Sequence, residues 1–198
     1  MLPPDKLREE IRKIRALTDR PFNVNLFVLK PVEVSQEELQ TALGRLQPIR
    51  AELGLPPGAV PTKFSWDFEA QLEVLIEEKP PVISFHFDLL PAPQVERLHR
   101  AGCKVIGTAT NVAEALAWQE AGADYICAQG AEAGGHRGTF IGPFEQAMTG
   151  VLALLPQVGA AVKVPIIAAG GIMDGRGIAA AMLSLGIRRS PTPTMAQG

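Results

Sequence analysis

Short apolar runs alternate regularly with stretches of helical periodicity through the second half of the chain. From residue 93 onward they predict helices at 93–101, 112–121, 144–155 and 175–185, and strands at 104–109, 124–128 and 164–168. Parallel strands need a long crossover connection, and a helix between each pair of strands supplies one. The alternation therefore predicts an α/β fold with a parallel sheet, in which ligands bind beyond the carboxyl ends of the strands.

The N-terminal part of the chain follows the same alternation with longer interruptions. It predicts helices at 5–18 and 68–76 and strands at 22–28 and 81–87. A further helix is expected to begin after Ser35, because Glu38 stands three residues on, at the spacing of a capping box. Pro48 is expected to kink or end this helix, since proline lacks the N–H group of the helical hydrogen bond.

Two glycine-rich loops directly follow predicted strands. Residues 129–138 carry several glycines and His136, and residues 168–177 carry a glycine pair before a predicted helix. Glycine lets backbone N–H groups approach an anion or a flat ring, and a helix N-terminus adds unpaired donors. Histidine adds a group that exchanges protons near neutral pH. Two such loops in one α/β chain indicate a phosphorylated cofactor.

Together, the two loops resemble those of the nitronate monooxygenase family, formerly 2-nitropropane dioxygenases, which are flavin-dependent (β/α)8 barrels. The family pattern QGxEAGGHxG matches residues 129–138, and AAGGIxDGRG matches residues 168–177. Shorter matches in the family's order occur at 21–26, 83–87 and 104–110. The resemblance covers roughly residues 5–186.

The resemblance implies an enzyme that uses flavin mononucleotide (FMN) and O2 to oxidise alkyl nitronates or nitroalkanes to carbonyl compounds and nitrite. His136 matches the catalytic histidine. With a nitroalkane it would act as the general base, and with a nitronate, which is already deprotonated, it would orient or stabilise the anion. Family positions that bind the flavin match Asn25, Gln129, Gly134, Gly170 and Gly171.

Other polar residues near these loops are assigned supporting roles. We expect His86 to line the pocket at most and His99 to lie on the surface. Glu132 is a weaker site candidate, whose position suits hydrogen bonding within the loop. Asp174 and Arg176 are expected to cap the following helix and to face solvent. Some family members place a lysine where this chain has Thr108, so a contact to the flavin ring is absent or replaced there.

The strand count departs from the family. The chain predicts five strands, against eight in a closed barrel, and residues 187–198 hold two prolines and no apolar run. The expected fold is therefore an incomplete TIM (β/α)8 barrel of five parallel βα units, with one domain at 1–186 and an irregular tail at 187–198. A natural truncation, a frameshift or a split protein would each give such a chain. With open strand edges at 22–28 and 164–168, we expect a marginal monomer and either a homo-oligomer or a completing chain.

Two alternatives stay open beside this interpretation. One is a flavin-dependent enoyl-acyl-carrier-protein reductase, whose related barrels carry a similar glycine-glycine-histidine loop and use a nicotinamide donor. The other is an inactive barrel fragment that no longer binds flavin. Oxidation of NADH with an enoyl thioester, against release of nitrite from a nitronate, distinguishes the two enzymes.

Bulk properties argue against several other classes. A net charge of −2 and an isoelectric point near 6.0 give no electrostatic reason for binding nucleic acid or an anionic membrane. The chain starts without a secretory signal and has no apolar run of about 18 residues, so we expect a cytoplasmic protein. Cys103 and Cys127 stand in or beside apolar runs, which predicts buried thiols and no metal site.

Overall fold

One parallel sheet contains all five predicted strands in chain order. The computed structural model describes residues 2–29, 33–60 and 65–185. Its strands are β1 (Asn23–Phe27), β2 (Val82–His86), β3 (Lys104–Ala109), β4 (Tyr125–Gln129) and β5 (Ile166–Ala169). Each pairs in parallel with its neighbours in sequence, so β1 and β5 are the sheet edges among the described residues. The predicted parallel sheet is confirmed, and the predicted tail at 187–198 lies outside the described ranges.

The strands are joined by helices. These are α1 (Pro4–Leu17), α2 (Gln36–Glu52), α3 (Phe68–Glu78), α4 (Ala92–Arg100), α5 (Val112–Ala121), α6 (Val151–Ala161) and α7 (Gly175–Ser184). Strands added in order through right-handed crossovers place their helices on one face of a sheet. The strand residues on that face form the core, for example Ile83 and Phe85 in β2, which are fully buried. The opposite face presents partly exposed residues such as Asn25, Ser84 and Ile167.

Trp118 of α5 fixes the helix layer to the middle of the sheet. Its side chain is fully buried and its ring lies 6.1 Å, centroid to centroid, from that of Phe85. The indole N–H donates to the carbonyl of Thr108 at 3.1 Å. A Cβ on Gly107 would overlap the indole, so the glycine in β3 makes room for the largest side chain of the core.

One helix prediction was wrong in detail, and of the two effects expected of Pro48, a kink or an end, the end is not seen. The helix expected at 144–155 is a short 3-10 turn (Phe144–Gln146) followed by α6, which begins only at Val151 and continues to Ala161. Its start is set by Glu132, a residue distant in sequence, whose carboxylate accepts the Val151 amide at 2.8 Å. Pro48 does not end α2, which continues to Glu52. Because α2 is exposed along its length, water can satisfy the carbonyl that Pro48 leaves without a donor.

Further expectations from the sequence concern membrane helices, the two cysteines and metal ligands. Within the described ranges, no helix is long and apolar enough to cross a membrane. Both cysteines are free thiols, with Cys103 buried and Cys127 half-buried, and burial raises the pKa of each. The described residues also contain no group of three or more His, Cys, Asp and Glu side chains that could hold a metal ion.

Glu78 is the centre of an ionic cluster that fixes α1 to α3. Its carboxylate is only 8% exposed and accepts hydrogen bonds from Arg8, Arg12 and Arg15 at 3.0, 2.9 and 3.1 Å. The bond from Arg12 contributes most to lowering the pKa of Glu78 below its ordinary value of 4.5. The ionised form is therefore favoured in the folded chain.

We expect Glu78→Gln to lower the free energy of unfolding at pH 7 by about 1–2 kcal/mol, because it weakens charge-assisted hydrogen bonds. A carboxylate whose pKa is lowered by folding stabilises fully above its unfolded value and loses that contribution as the pH falls through the folded value. The difference between wild type and Glu78→Gln should therefore shrink below pH 4.5. Urea unfolding at several pH values measures it. Glu77→Gln, at an exposed neighbour that pairs with Arg8, is the control and should change stability little.

Candidate active site

Four aromatic rings meet beyond the carboxyl ends of β1 and β2. His136 lies with its ring centroid 5.7 Å from that of Phe87 and 6.3 Å from that of Phe27. His86, the last residue of β2, lies 4.6 Å from Phe87 and 5.9 Å from Phe27. We call Phe27, His86, Phe87 and His136 the ring cluster. The structure thus brings His136, from the loop after β4, to the ends of strands far from it in sequence.

Phe87 adopts an unusual backbone conformation in this cluster. Its φ is +80°, and it is one of two non-glycine residues with positive φ among those described. Such a conformation strains a bulky residue and is often found at functional sites, where the surrounding structure enforces it. The sequence carries no signal for it, because the strain arises from contacts made only in the folded chain.

Gln129, the last residue of β4, holds the His136 loop through two side-chain hydrogen bonds. Its side-chain N–H donates to the carbonyl of His136 at 2.9 Å, and its side-chain oxygen accepts the amide of Gly138 at 2.8 Å. A glutamine amide has two N–H groups, so one remains for a ligand. The residue predicted to bind the flavin is therefore also the residue that sets the loop conformation.

His86 supports the same loop. Its Nε2 lies 3.1 Å from the carbonyl oxygen of His136, which can only accept, so Nε2 carries the proton. Burial lowers the pKa of His86, in keeping with a neutral ring that donates through Nε2. A Cβ on Gly138 would lie 2.6 Å from the His86 ring, so glycine is required there. His86 thus lines the site, as predicted, while supporting the loop as well.

Arg137, within the loop, donates hydrogen bonds to backbone carbonyls on both sides of it in sequence. Its guanidinium donates to the carbonyls of Gln129 and Gly130 at 2.6 and 2.8 Å, and to the carbonyl of Ala147. The side chain of His136, in contrast, is exposed, and its ring nitrogens form no hydrogen bond within the described part of the chain. The loop therefore has a fixed backbone and presents an imidazole that is available to a ligand.

The second glycine loop packs directly against the first. Gly170 has φ +125°, and a Cβ on it would lie 2.8 Å from the backbone nitrogen of Ala133. Gly171 has φ +66°, and its Cβ would lie 3.2 Å from that of Glu132. A Cβ on Gly134, at the tip of the first loop, would meet no atom within 4 Å. Two of the three predicted glycines thus serve loop packing, and Gly134 leaves open space.

The second loop offers backbone donors of the kind that bind a phosphate. The amides of Gly170 and Gly171 donate to no backbone acceptor among the described residues. The first turn of α7 is less accessible to an anion, because the Asp174 carboxylate already accepts the amides of Arg176 and Gly177 at 2.9 and 3.2 Å. Asp174 and Arg176 therefore cap the helix and face solvent, as predicted.

Asn25 lies on the uncovered face of the sheet, two residues before Phe27. Its Oδ1 accepts the Ser84 hydroxyl at 2.9 Å, and that hydroxyl accepts from Asn23 at 2.8 Å. These bonds fix the orientation of the Asn25 amide and leave its Nδ2 available. Glu132, by accepting the Val151 amide, has the structural role expected of it. His99, paired with Asp124 at 2.9 Å, lies away from the ring cluster on α4.

Comparison with known proteins places the chain in one family. The family model described as nitronate monooxygenase matches residues 1–188. The nitronate monooxygenase of Paraburkholderia phytofirmans is 43% identical over 194 residues, which are 96% of this chain and 52% of the relative. The probable nitronate monooxygenase of Staphylococcus aureus is 41% identical over 179 residues, or 90% of this chain and 50% of the relative. The chain thus spans about half the length of the curated relatives it matches.

Solved structures agree in fold. The nitroalkane oxidase from Streptomyces ansochromogenes has a TM-score of 0.82 and 40% identity, covering 92% of this chain and 52% of its own. FabK from Thermotoga maritima has a TM-score of 0.64 and 32% identity, covering 92% of this chain and 44% of its own. Five parallel strands alternating with helices, in the arrangement of these neighbours, confirm an incomplete TIM barrel. On the match over residues 1–188 and these similarities, the chain belongs to the nitronate monooxygenase family.

Proposed function

We propose that this protein is an FMN-dependent nitronate monooxygenase, which oxidises alkyl nitronates or nitroalkanes with O2 to carbonyl compounds and nitrite. The proposal rests on the hydrogen bonding of His136. Its backbone is held by Gln129 and His86, whereas its ring nitrogens make no hydrogen bond with a described residue. A positioned imidazole at the strand ends is the group that proton abstraction beside a nitro group requires.

The ring cluster restricts how a substrate can approach His136. Phe27 and Phe87 approach the imidazole in edge-to-face orientation and limit the directions from which a substrate can reach it. A ring nitrogen of His136 takes the proton from the carbon that bears the nitro group. When the substrate is a nitronate, no proton needs to be removed, and the imidazole orients the anion instead.

A bound flavin would supply the electron acceptor for this oxidation, and the protein would supply its position. Asn25 would hold it through Nδ2, and Gln129 through the second N–H of its amide. Gly134 leaves room for close backbone approach at the loop tip. The amides of Gly170 and Gly171 would bind the phosphate. They suit this role better than the first turn of α7, because they donate to no backbone acceptor among the described residues, whereas Asp174 already accepts the Arg176 amide.

Two measurements test the proposal. Titration of FMN fluorescence with the chain should show binding, and an alkyl nitronate should then yield nitrite with consumption of O2. Oxidation of NADH with an enoyl thioester, without nitrite release, would favour the reductase alternative. Absence of flavin binding at high micromolar FMN would favour the inactive-fragment alternative.

The cytoplasmic location stays a prediction. Assembly with a second copy or with a completing chain also stays a prediction, which size-exclusion chromatography tests.

Gly170→Ala is expected to weaken FMN affinity about tenfold, which corresponds to about 1.4 kcal/mol. A side chain at φ +125° is strained, and its Cβ would push against the backbone of Ala133 and displace the phosphate-binding amides. The control is Gly175→Ala, at the start of α7, where a Cβ meets nothing within 4 Å. Fluorescence titration compares the two variants. Equal dissociation constants would rule out a role of the Gly170 backbone in binding.

A further inference from the structure

Glu114 is a fully buried carboxylate in the first turn of α5 that the proposed reaction does not use. One of its oxygens, Oε2, accepts the amide of Thr110 at 2.6 Å and the hydroxyl of the same residue at 2.8 Å. The other, Oε1, accepts the hydroxyl of Thr139 and the amides of Phe140 and Ile141, at 2.7, 2.6 and 3.0 Å. One side chain thus joins the end of β3 to the His136 loop.

Capping of α5 does not account for this arrangement. Asn111 is the N-cap residue, and its side-chain oxygen already accepts the amide of Glu114 at 3.0 Å. Burying a charged group costs free energy unless hydrogen bonds offset the loss of water. Three of the five bonds that offset it lie on residues 139–141. The burial of Glu114 therefore serves the loop more than the helix.

Residues 139–141 begin three positions after His136, on the limb of the loop that returns toward α6. Gln129 holds the same limb through the carbonyl of His136 and the amide of Gly138, so the two buried side chains together fix the backbone from residue 136 to residue 141. The side chain of Asn111 adds a bond to the carbonyl of Ile141 at 3.1 Å. Catalytic groups depend on such surrounding contacts to hold their orientation.

We propose that Glu114 is a positioning residue for His136: it clamps residues 139–141 to the start of α5 and so fixes the direction in which the imidazole is presented. The role rests on the proposed function, in which His136 transfers the proton. No sequence pattern points to this role, because Glu114 and Thr139 are 25 residues apart and come into contact only in the folded chain.

Nuclear magnetic resonance on the full chain tests the clamp. Glu114→Gln is compared with Glu120→Gln, a change of the same chemistry at an exposed position of α5. We expect Glu114→Gln to speed hydrogen exchange at Phe140 and Ile141 by about tenfold relative to Ile126 in β4, since their acceptor is weakened. Glu120→Gln should match the wild type.

The second readout is the His136 ring itself. The chain contains three histidines, and the set of ring signals that is lost in His136→Asn belongs to His136. Glu114→Gln should add relaxation dispersion to the His136 ring signals, because the imidazole then samples several orientations. In turnover with a nitroalkane, kcat should fall about tenfold while the dissociation constant of FMN changes less than about twofold.

Two results would overturn the proposal. One is a His136 ring whose dynamics are unchanged in Glu114→Gln, and the other is exchange that rises equally at Ile126, which reports only general destabilisation. If Glu114→Gln does not fold, Thr139→Val removes a single bond and should give the same pattern at smaller amplitude. The resonance readouts need neither flavin nor turnover. Failure of the wild type to oxidise nitronates would therefore count against the proposed function only. The resonance measurements would still decide whether Glu114 positions His136.

Discussion

His136→Asn is expected to lower kcat/KM for a nitroalkane by about a hundredfold to ten-thousandfold, the usual contribution of a general base. The fold of the loop should survive, because Gln129 and His86 bind the backbone carbonyl of residue 136 and not its side chain. For the same reason, FMN affinity should change little. Steady-state nitrite release, measured beside flavin titration, gives both quantities.

The corresponding nitronate provides the internal comparison for this variant. It has already lost its proton, so we expect a much smaller loss of rate with it than with the nitroalkane. His99→Asn is the matched control, since His99 pairs with Asp124 away from the ring cluster and should leave both rates unchanged. Equal losses on the two substrates would contradict proton abstraction by His136 and would leave it a role in binding the anion.

The fold and the strand positions could be predicted because they follow from the local spacing of apolar residues. The strands at 104–109 and 124–128 differ from the observed β3 and β4 by at most one residue at each end. The start of α6 could not be predicted, since Glu132 sets it from 19 residues away. The sequence from 144 to 155 favours a helix locally, but the tertiary contact decides where the helix begins.

Site prediction has the same limit. Glycines and a histidine after β4 identified the loop, and the glycine pair after β5 identified its neighbour. The residues that hold the loop, Arg137 and Glu114, were missed because their partners are backbone groups brought close only by folding. Gln129 was assigned to the flavin through family resemblance, and its role in fixing His136 became visible only from its two hydrogen bonds. Whether the predicted residues bind a flavin stays a prediction.

The largest effect on stability is expected from Gly107→Ala in β3. Trp118 is fully buried and lies where a Cβ on residue 107 would be, with Phe85 packed on its ring and its N–H bonded to Thr108. The indole cannot move away without breaking that hydrogen bond and disturbing the core. We expect a loss of about 3 kcal/mol in the free energy of unfolding, at the upper end for overpacking a core. Urea unfolding followed by circular dichroism measures it.

Gly44→Ala is the control for this change, because it introduces the same methyl group where nothing lies within 4 Å, in the exposed helix α2. Alanine favours a helix over glycine, so Gly44→Ala should raise stability by about 0.5–1 kcal/mol, opposite in sign to Gly107→Ala. Trp118→Leu removes most of the ring that Gly107 accommodates. The double variant Gly107→Ala/Trp118→Leu should therefore be more stable than the sum of the two single losses predicts, by about 1 kcal/mol or more. Strict additivity would contradict a direct clash and would indicate that Gly107→Ala acts through the backbone of β3.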